Sequence, residues 1–273
     1  MMKWIDGPEI QVPYYTFEMI EESGTAVCGF TTRLYRKDSM IDDFFQPLLR
    51  PDSDPAQVAA CDRLLLAQFG TDPDHRVQAP QVHRTHIYMV TQKDLGPKEK
   101  RPVIDEADGL ITNIPGVMLQ TFGADCHSVY MLDPVHRAIG LCHSGRKGTQ
   151  HHIVGKMLTK MQKEYGTDPG DVLAAVSPGI CADCYEVGDD VAEDFLADYG
   201  SGISAKRIAR KYEDGRYHLD MNAAIAETLM DAGVPYPQIE ISDLCTRCRS
   251  DLFYSYRAQG CITNENSAVL MLR

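Results

Sequence analysis

The sequence predicts an α/β protein built on a large mixed β-sheet that is covered on both sides. Three observations carry this. Segments of helical period alternate with strand-like runs along all 273 residues. The best-defined strand pair, 126–143, is largely apolar on both faces. Ser128, Tyr130 and Leu132 lie on one side and Val129 and Met131 on the other, answered by Leu141 and Ile139, then by Gly140 and Ala138. Strands buried on both faces belong to sheets covered on both sides. Finally, no internal repeat, low-complexity tract or linker interrupts the chain, so residues 1–273 are expected to form a single domain.

In chain order, residues 10–20 and 25–33 read as strands, the second running TAVCGFTTR and ending in Arg33. The Asp- and Pro-rich stretch from Lys37 to Pro55 reads as a loop. Asp54 offers an N-cap with Pro55 at the first helical position. Val58, Cys61, Leu65 and Phe69 then mark a helical face, and Gly70 supplies the stop. A strand is expected around 86–92, and ADGLIT and VMLQTFG are strands before the hairpin. Thr149 to Gly166 reads as one helix, with Ile153, Met157 and Met161 four apart. DVLAAVSPGI is another buried strand. Helices at 188–199 and 218–232 and strands near 238–242 and 267–272 close the chain.

Apolar residues make up 44% and charged residues 24%, ordinary values for a globular protein. The net charge of −12 argues against a general nucleic-acid surface, which needs a basic stripe. No apolar run reaches the roughly 18 residues of a membrane helix, so no membrane partner is expected. MMKWIDGPEIQVPYY lacks the apolar core of a signal peptide. Nine cysteines, an odd number, then read as reduced thiols or ligands rather than a disulfide framework, and the expected location is cytoplasmic.

The candidate chemistry sits at the ends of the hairpin. A turn centred on Pro134-Val135 sets Asp133 opposite His136 and Cys126 opposite His143. Opposed residues share a face about 4.5–5.5 Å apart, close enough for two ligands of one metal or for a thiolate and its base. The bland alternative is a buried thiol and a satisfied histidine. Against it stand Asp125 before the cysteine and SGRKG after the histidine, a glycine-flanked cationic loop at a strand end. A third ligand comes from QVHRTH. His83 and His86 point to opposite faces if this segment is extended, so only one joins the site, and position does not choose between them. A His₂Cys set is a zinc site with an open fourth position. The same donors also suit copper, and without a metal Cys126 becomes a nucleophile with His143 as its base.

Two Cys-x-x-Cys pairs, Cys181/Cys184 and Cys245/Cys248, compete for attention. Cys184 and Cys245 lie 61 positions apart, too far for a compact zinc ribbon, so ordinary reduced cysteines are expected. His151 and His152 read as a solvated helix end. No GxGxxG, P-loop or G-x-S-x-G pattern occurs, which gives no support to a standard nucleotide site or a serine hydrolase.

Taken together, GFTTR at 29–33, QVH at 81–83, EADGLIT at 106–112, GADC at 123–126, HSGRKG at 143–148, SPGICADCYEVG at 177–188, CT at 245–246 and FYSYR at 253–257 resemble the polyphenol oxidase or laccase-domain family. Its bacterial members are better described as purine nucleoside phosphorylases. The resemblance spans nearly the whole chain. It implies an α/β (α+β) fold in which mixed β-sheets are sandwiched and flanked by helices. It also implies a zinc centre on His83, Cys126 and His143, which become both the metal set and the catalytic set. The implied activity is phosphorolysis of adenosine, inosine, guanosine or 5′-methylthioadenosine to free base and ribose 1-phosphate, with adenosine deaminase side activity.

The expected partners are therefore purine nucleosides and phosphate; monomer and homodimer both remain open. Expected substrate contacts are Arg33, Lys147 and Arg257 for phosphate, and Gln81, which shares a face with His83 in an extended segment. HSGRKG stands where the family has HAGWRG, so Arg146 replaces a Trp and Lys147 an Arg. Ser128 replaces a Pro, and Asn264-Glu265-Asn266 stands where a Gly-Arg is usual. Two further readings compete: a metal-free cysteine hydrolase using Cys126 and His143, and a catalytically silent binding protein.

Overall fold

The computed structural model describes residues 1–7, 9–37, 40–42, 45–48, 53–199, 203–213, 215–261 and 264–273. Its centre is a pair of six-stranded sheets rather than one large sheet. The first runs, in spatial order, Met2–Ile5, Tyr14–Phe17, Ala26–Thr31, Asn266–Leu272, Met118–Gly123 and Arg76–Gln78. Only its last pairing is parallel. The second runs Ile239–Ile241, Leu173–Val176, His127–Asp133, Ala138–Ser144, Ala107–Thr112 and His86–Met89. It is antiparallel in the middle and parallel at both edges.

The layers follow from which faces are apolar. Phe30, Leu119 and Leu270 of the first sheet meet Tyr130, Leu132, Ile139 and Leu141 of the second in one buried core. Tyr130, fully buried there, donates its hydroxyl hydrogen to the Gly29 carbonyl at 2.9 Å, so its one polar atom is satisfied across the sandwich. The outer face of the second sheet carries Val129, Met131 and Cys142. These pack on Met157 and Met161 of the helix Ile153–Tyr165 and on Ile225 and Leu229 of the helix Met221–Asp231. On the far side, Met118, Val269 and Met271 pack on Cys61, Leu65 and Leu66 of the helix Pro55–Gln68. Each fully buried Leu, Phe or Met contributes roughly 1.5–3 kcal/mol. The sandwich of mixed sheets flanked by helices is thus present.

Local signals explain most boundaries. The Asp54 carboxylate accepts from the Ala56 N–H at 2.9 Å, and Gly70 takes φ +69° after the helix. The strand expected over 10–20 is Tyr14–Phe17, and it stops there because Glu18–Glu22 turns into a short helix. The expected single helix over 149–166 is two helices, Arg146–Gln150 and Ile153–Tyr165, broken where His152 adopts φ +56°. The helices Asp189–Tyr199 and Met221–Asp231 lie as expected. Of the stretch 37–55, expected as a loop, residues 38, 39, 43, 44 and 49–52 lie outside the described residues, and Met40–Asp42 pairs with Tyr35–Lys37 as a strand. Among the described residues no helix is long and apolar enough to cross a membrane.

The hairpin register differs from the expected one. His143 lies opposite Ser128, and Asp133 opposite Ala138. The turn is a four-residue loop, because the Asp133 carboxylate accepts from the N–H groups of both Val135 and His136 at 2.9 Å and Arg137 takes φ +50°. Both faces of the hairpin are buried, as read from its pattern.

Candidate metal centre and its cavity

His143 sits near the end of the strand Ala138–Ser144, and Cys126 immediately precedes the strand His127–Asp133. They are not directly opposed. Cys126 lies two residues before the partner of His143 and therefore on the same side of the sheet. His83 arrives from a loop that is not extended: Gln81 and His83 take φ +56° and +58°. This folding carries His83 to the other two. One ligand atom from each of His83, Cys126 and His143 lies within 4.8 Å of the others. The two imidazole rings meet edge to face, centroids 4.8 Å apart. His86 instead opens the strand His86–Met89 and stays outside the cluster.

Asp108 organises this meeting. Its carboxylate accepts from the N–H groups of Val82, His83 and Arg84 at 3.0, 2.9 and 2.9 Å. It also pairs with His143 Nδ1 at 3.0 Å. One buried side chain thus sets the loop that presents His83 and the orientation of the His143 ring. Burial alone would raise the Asp108 pKa, but His143 and the Arg84 and Val82 N–H groups outweigh it and hold the carboxyl below its usual range. With Nδ1 so engaged, His143 Nε2 is the nitrogen left for a metal.

Gly145 lets the three side chains close. A Cβ at that position would lie 3.1 Å from Cys126 Sγ, 3.2 Å from His143 Cε1 and 3.2 Å from His83 Cδ2. The charges suit a thiolate. Burial raises the Cys126 pKa, but His143 and His83 outweigh it and hold the thiol at about 7. Burial lowers that of His143, yet Cys126 and Asp108 carry it to about 10. Two imidazoles and a thiolate fit zinc, and also copper.

The cluster opens into a cavity of about 340 Å³. Ile180 and Met221 give it apolar surface, Tyr185 and Tyr256 aromatic surface, and Arg146 and Arg257 cations. The Arg257 guanidinium lies 5.5 Å from the Tyr185 ring centre. Glu265 lines this cavity and also a neighbouring one of about 710 Å³, which shares His83 with it.

Of the four expected substrate contacts, only Arg257 lines the cavity around the cluster. Arg33 donates to the Ser250 carbonyl at 3.0 Å and lies 5.1 Å from the Tyr254 ring centre, so it fastens two loops. Gln81 faces the neighbouring cavity with its amide occupied: Nε2 donates to the Phe122 carbonyl and Oε1 accepts the Phe122 N–H, both at 2.7 Å. Lys147 is exposed, and Arg146 is the cation of that loop that lines the cavity. The shift of one position arises because Gly145 starts a helix there and turns successive side chains by about 100°.

Asp125 is structural. It takes φ +95° and accepts from Thr246 Oγ1 and Ser255 Oγ at 2.6 Å and from the Arg257 N–H at 2.6 Å. His127, next to Cys126, packs its ring on Gly179, where a Cβ would come within 2.5 Å of it. Burial holds its pKa down to about 4, so it is uncharged at neutral pH. Cys181, Cys184, Cys245 and Cys248, expected as ordinary reduced cysteines, are free thiols, but the 61 positions between the two pairs do not keep them apart: their sulfurs all lie within 4.8 Å of one another. Asp108, Tyr185 and Tyr256 are not expected at the site from the sequence, although they stand inside the motifs EADGLIT, SPGICADCYEVG and FYSYR.

Fold and site together define an α/β sandwich with a His₂Cys cluster opening into an aromatic and cationic cavity. A family model described as multi-copper polyphenol oxidoreductase laccase matches residues 28–273, and the chain belongs to that family. Purine nucleoside phosphorylase YlmD of Bacillus subtilis (strain 168) is 31% identical over 233 residues, covering 85% of this chain and 83% of its own. Adenosine deaminase RL5, from an unknown prokaryotic organism, is 31% identical over 201 residues, covering 72% of this chain and 76% of its own. Among solved structures, the hypothetical protein YfiH of Bacillus licheniformis matches with a TM-score of 0.84 at 27% identity, over 100% of this chain and 99% of its own.

Proposed function

We propose that the chain is a single-domain, zinc-dependent purine nucleoside phosphorylase with adenosine deaminase side activity. The reading rests on one observation above others: the His83, Cys126 and His143 cluster faces the same cavity as two arginines and two tyrosines. Relatives named for phosphorolysis and for deamination support it. The substrates are adenosine, inosine, guanosine and 5′-methylthioadenosine with phosphate, and the products are free base and sugar 1-phosphate.

Zinc held by the three ligands supplies Lewis acidity towards a phosphate oxygen or a water. The chain's own residues do the rest. Arg146 and Arg257 bind the phosphate dianion and hold it against C1′ of the sugar. Tyr185 and Tyr256 flank the purine, whose faces stack on aromatic rings. As a phosphate oxygen bonds to C1′, the bond from C1′ to the base breaks and its electron pair leaves with the base nitrogen, which takes up a proton. Glu265 lines the cavity beside the cluster, and we assign its carboxyl group to proton transfer. Asp108 keeps His143 in one tautomer throughout.

Incubating the purified protein with adenosine, with and without phosphate, tests this. Adenine that forms only with phosphate, together with some inosine, is the expected result; no product from any of the four nucleosides would reject it. A metal-free cysteine hydrolase is the second reading, favoured by a thiol held at about 7 beside a histidine at about 10. Hydrolysis that survives full metal removal and stops on alkylation of Cys126 would support it instead. Metal analysis of the purified protein separates zinc from copper.

A further inference from the structure

We propose that Cys181, Cys184, Cys245 and Cys248 hold a second, structural zinc ion that fastens one wall of the cavity. The four sulfurs form a closed group, all within 4.8 Å of one another, with Cys184 and Cys248 at 3.4 Å. Four thiolates around one zinc, each with a bond of about 2.3 Å, stand about 3.8 Å apart along the edges of a tetrahedron. That spacing lies within the 4.8 Å limit and a few tenths of an ångström above the Cys184–Cys248 distance. A disulfide instead needs sulfurs about 2.05 Å apart.

The backbone around the cysteines supports the assignment. Cys245 Sγ receives the N–H of Cys181 at 3.3 Å and that of Cys248 at 3.5 Å. A sulfur that collects N–H donors from both pairs is placed to carry negative charge. A parallel bridge joins Gly179 to Cys245, and the Thr246 N–H donates to the Gly179 carbonyl at 3.0 Å. These bonds set the two Cys-x-x-Cys turns side by side despite the residues between them. With four sulfur donors no position is left for substrate, so the site is structural and not catalytic.

Its place in the fold gives it a purpose. The segment that holds Cys181 and Cys184 also carries Ile180 and Tyr185; the one that holds Cys245 and Cys248 leads to Tyr256 and Arg257. All four non-cysteine residues line the cavity. Thr246, between the second pair, bonds Asp125, the neighbour of Cys126. One ion at this junction ties together the two segments that meet the base and phosphate.

The test is zinc content per chain after purification without chelators, in three proteins: wild type, Cys126→Ala, and the Cys184→Ser, Cys248→Ser double variant. About two zinc ions are expected in the wild type and about one in each of the others. If the double variant does not fold, Cys126→Ala stripped and reloaded with Co²⁺ decides alone. An intense sulfur-to-cobalt band with the visible absorption of a tetrahedral four-sulfur site supports the proposal, and its absence overturns it. Less than about one-tenth zinc in Cys126→Ala, or a double variant that keeps as much zinc as the wild type, also overturns it. Failure of the His83, Cys126 and His143 site reads differently: the wild type then holds one zinc, which Cys126→Ala retains and the double variant loses.

Discussion

Asp108 and His143, 35 positions apart, meet as a buried pair in which a carboxylate oxygen lies 3.0 Å from Nδ1. The same carboxylate receives three consecutive N–H groups from the loop that carries His83. A single side chain therefore sets two of the three members of the cluster. Such a partner fixes ring orientation and tautomer and makes the histidine a better donor.

Removing that charge should weaken the centre without emptying the fold. Asp108→Asn is expected to lower metal affinity, and kcat/KM on adenosine, by about 10–100-fold. Asp108→Ala should do worse, since it leaves three N–H groups without their acceptor, a cost of about 1–3 kcal/mol for each buried group. Competition with a metal-sensitive chelator measures the first effect and thermal melting the second. Unchanged metal affinity in Asp108→Asn would refute the positioning role.

Gly145 makes a separate point about space. An added methyl group would come within 3.1–3.2 Å of all three candidate ligands at once. In Gly145→Ala the ligands must part by a few tenths of an ångström. The backbone there has φ −74°, which alanine adopts freely, so the strain falls on the cluster. Metal content is expected to drop several-fold while the melting temperature moves by only a few degrees, consistent with about 1 kcal/mol. Loss of fold in step with loss of metal would contradict this.

Both the layers and the errors have identifiable origins. The hairpin 126–143 announced its two buried faces because alternate residues were apolar on each side, and that pattern survives any even shift of register. Its turn was misjudged because Asp133 caps two N–H groups with one carboxylate, which lengthens the loop by two residues. His83 was assigned through resemblance alone, since positive φ at Gln81 and His83 breaks the alternation an extended segment would show. Asp108 was invisible as an organiser because its four partners come from distant stretches. Spacing along the chain hides the cysteine tetrad, and the bridge between Gly179 and Cys245 removes that spacing in three dimensions.

Asp133 also predicts a pH dependence. Burial would raise its pKa, but the His136 N–H, Thr167 and the His136 ring outweigh it and hold the folded-state value below the ordinary 3.8. A group whose pKa is depressed by folding stabilises the protein above its unfolded pKa, and that stability is lost as pH falls through the folded value. Asp133→Asn is therefore expected to cost on the order of 1–2 kcal/mol at neutral pH. It should also flatten the loss of stability on acidification below about pH 4, measured by urea denaturation across pH. An acid limb as steep as that of the wild type would assign the dependence to other carboxylates.

The altered loop after His143 yields the sharpest prediction about substrate. Arg146 lines the cavity that holds the cluster, whereas the neighbouring Lys147 is exposed. By the resemblance read from the sequence, Arg146 stands where the motif HAGWRG has its Trp, and its guanidinium is on the side of the helix turned to the cavity. A guanidinium offers phosphate two parallel N–H donors, and losing such a charged contact costs about 1.5–3 kcal/mol. Arg146→Ala should therefore raise the KM for phosphate by about 10-fold or more, and Arg146→Lys should recover only part of it. Lys147→Ala should leave that KM within about twofold of the wild type, as expected of an exposed charge. Phosphate dependence of adenine release in the three variants decides the matter. If Lys147→Ala is the variant that loses phosphate affinity, the helix at Gly145 presents the opposite face to substrate and the assignment of Arg146 fails.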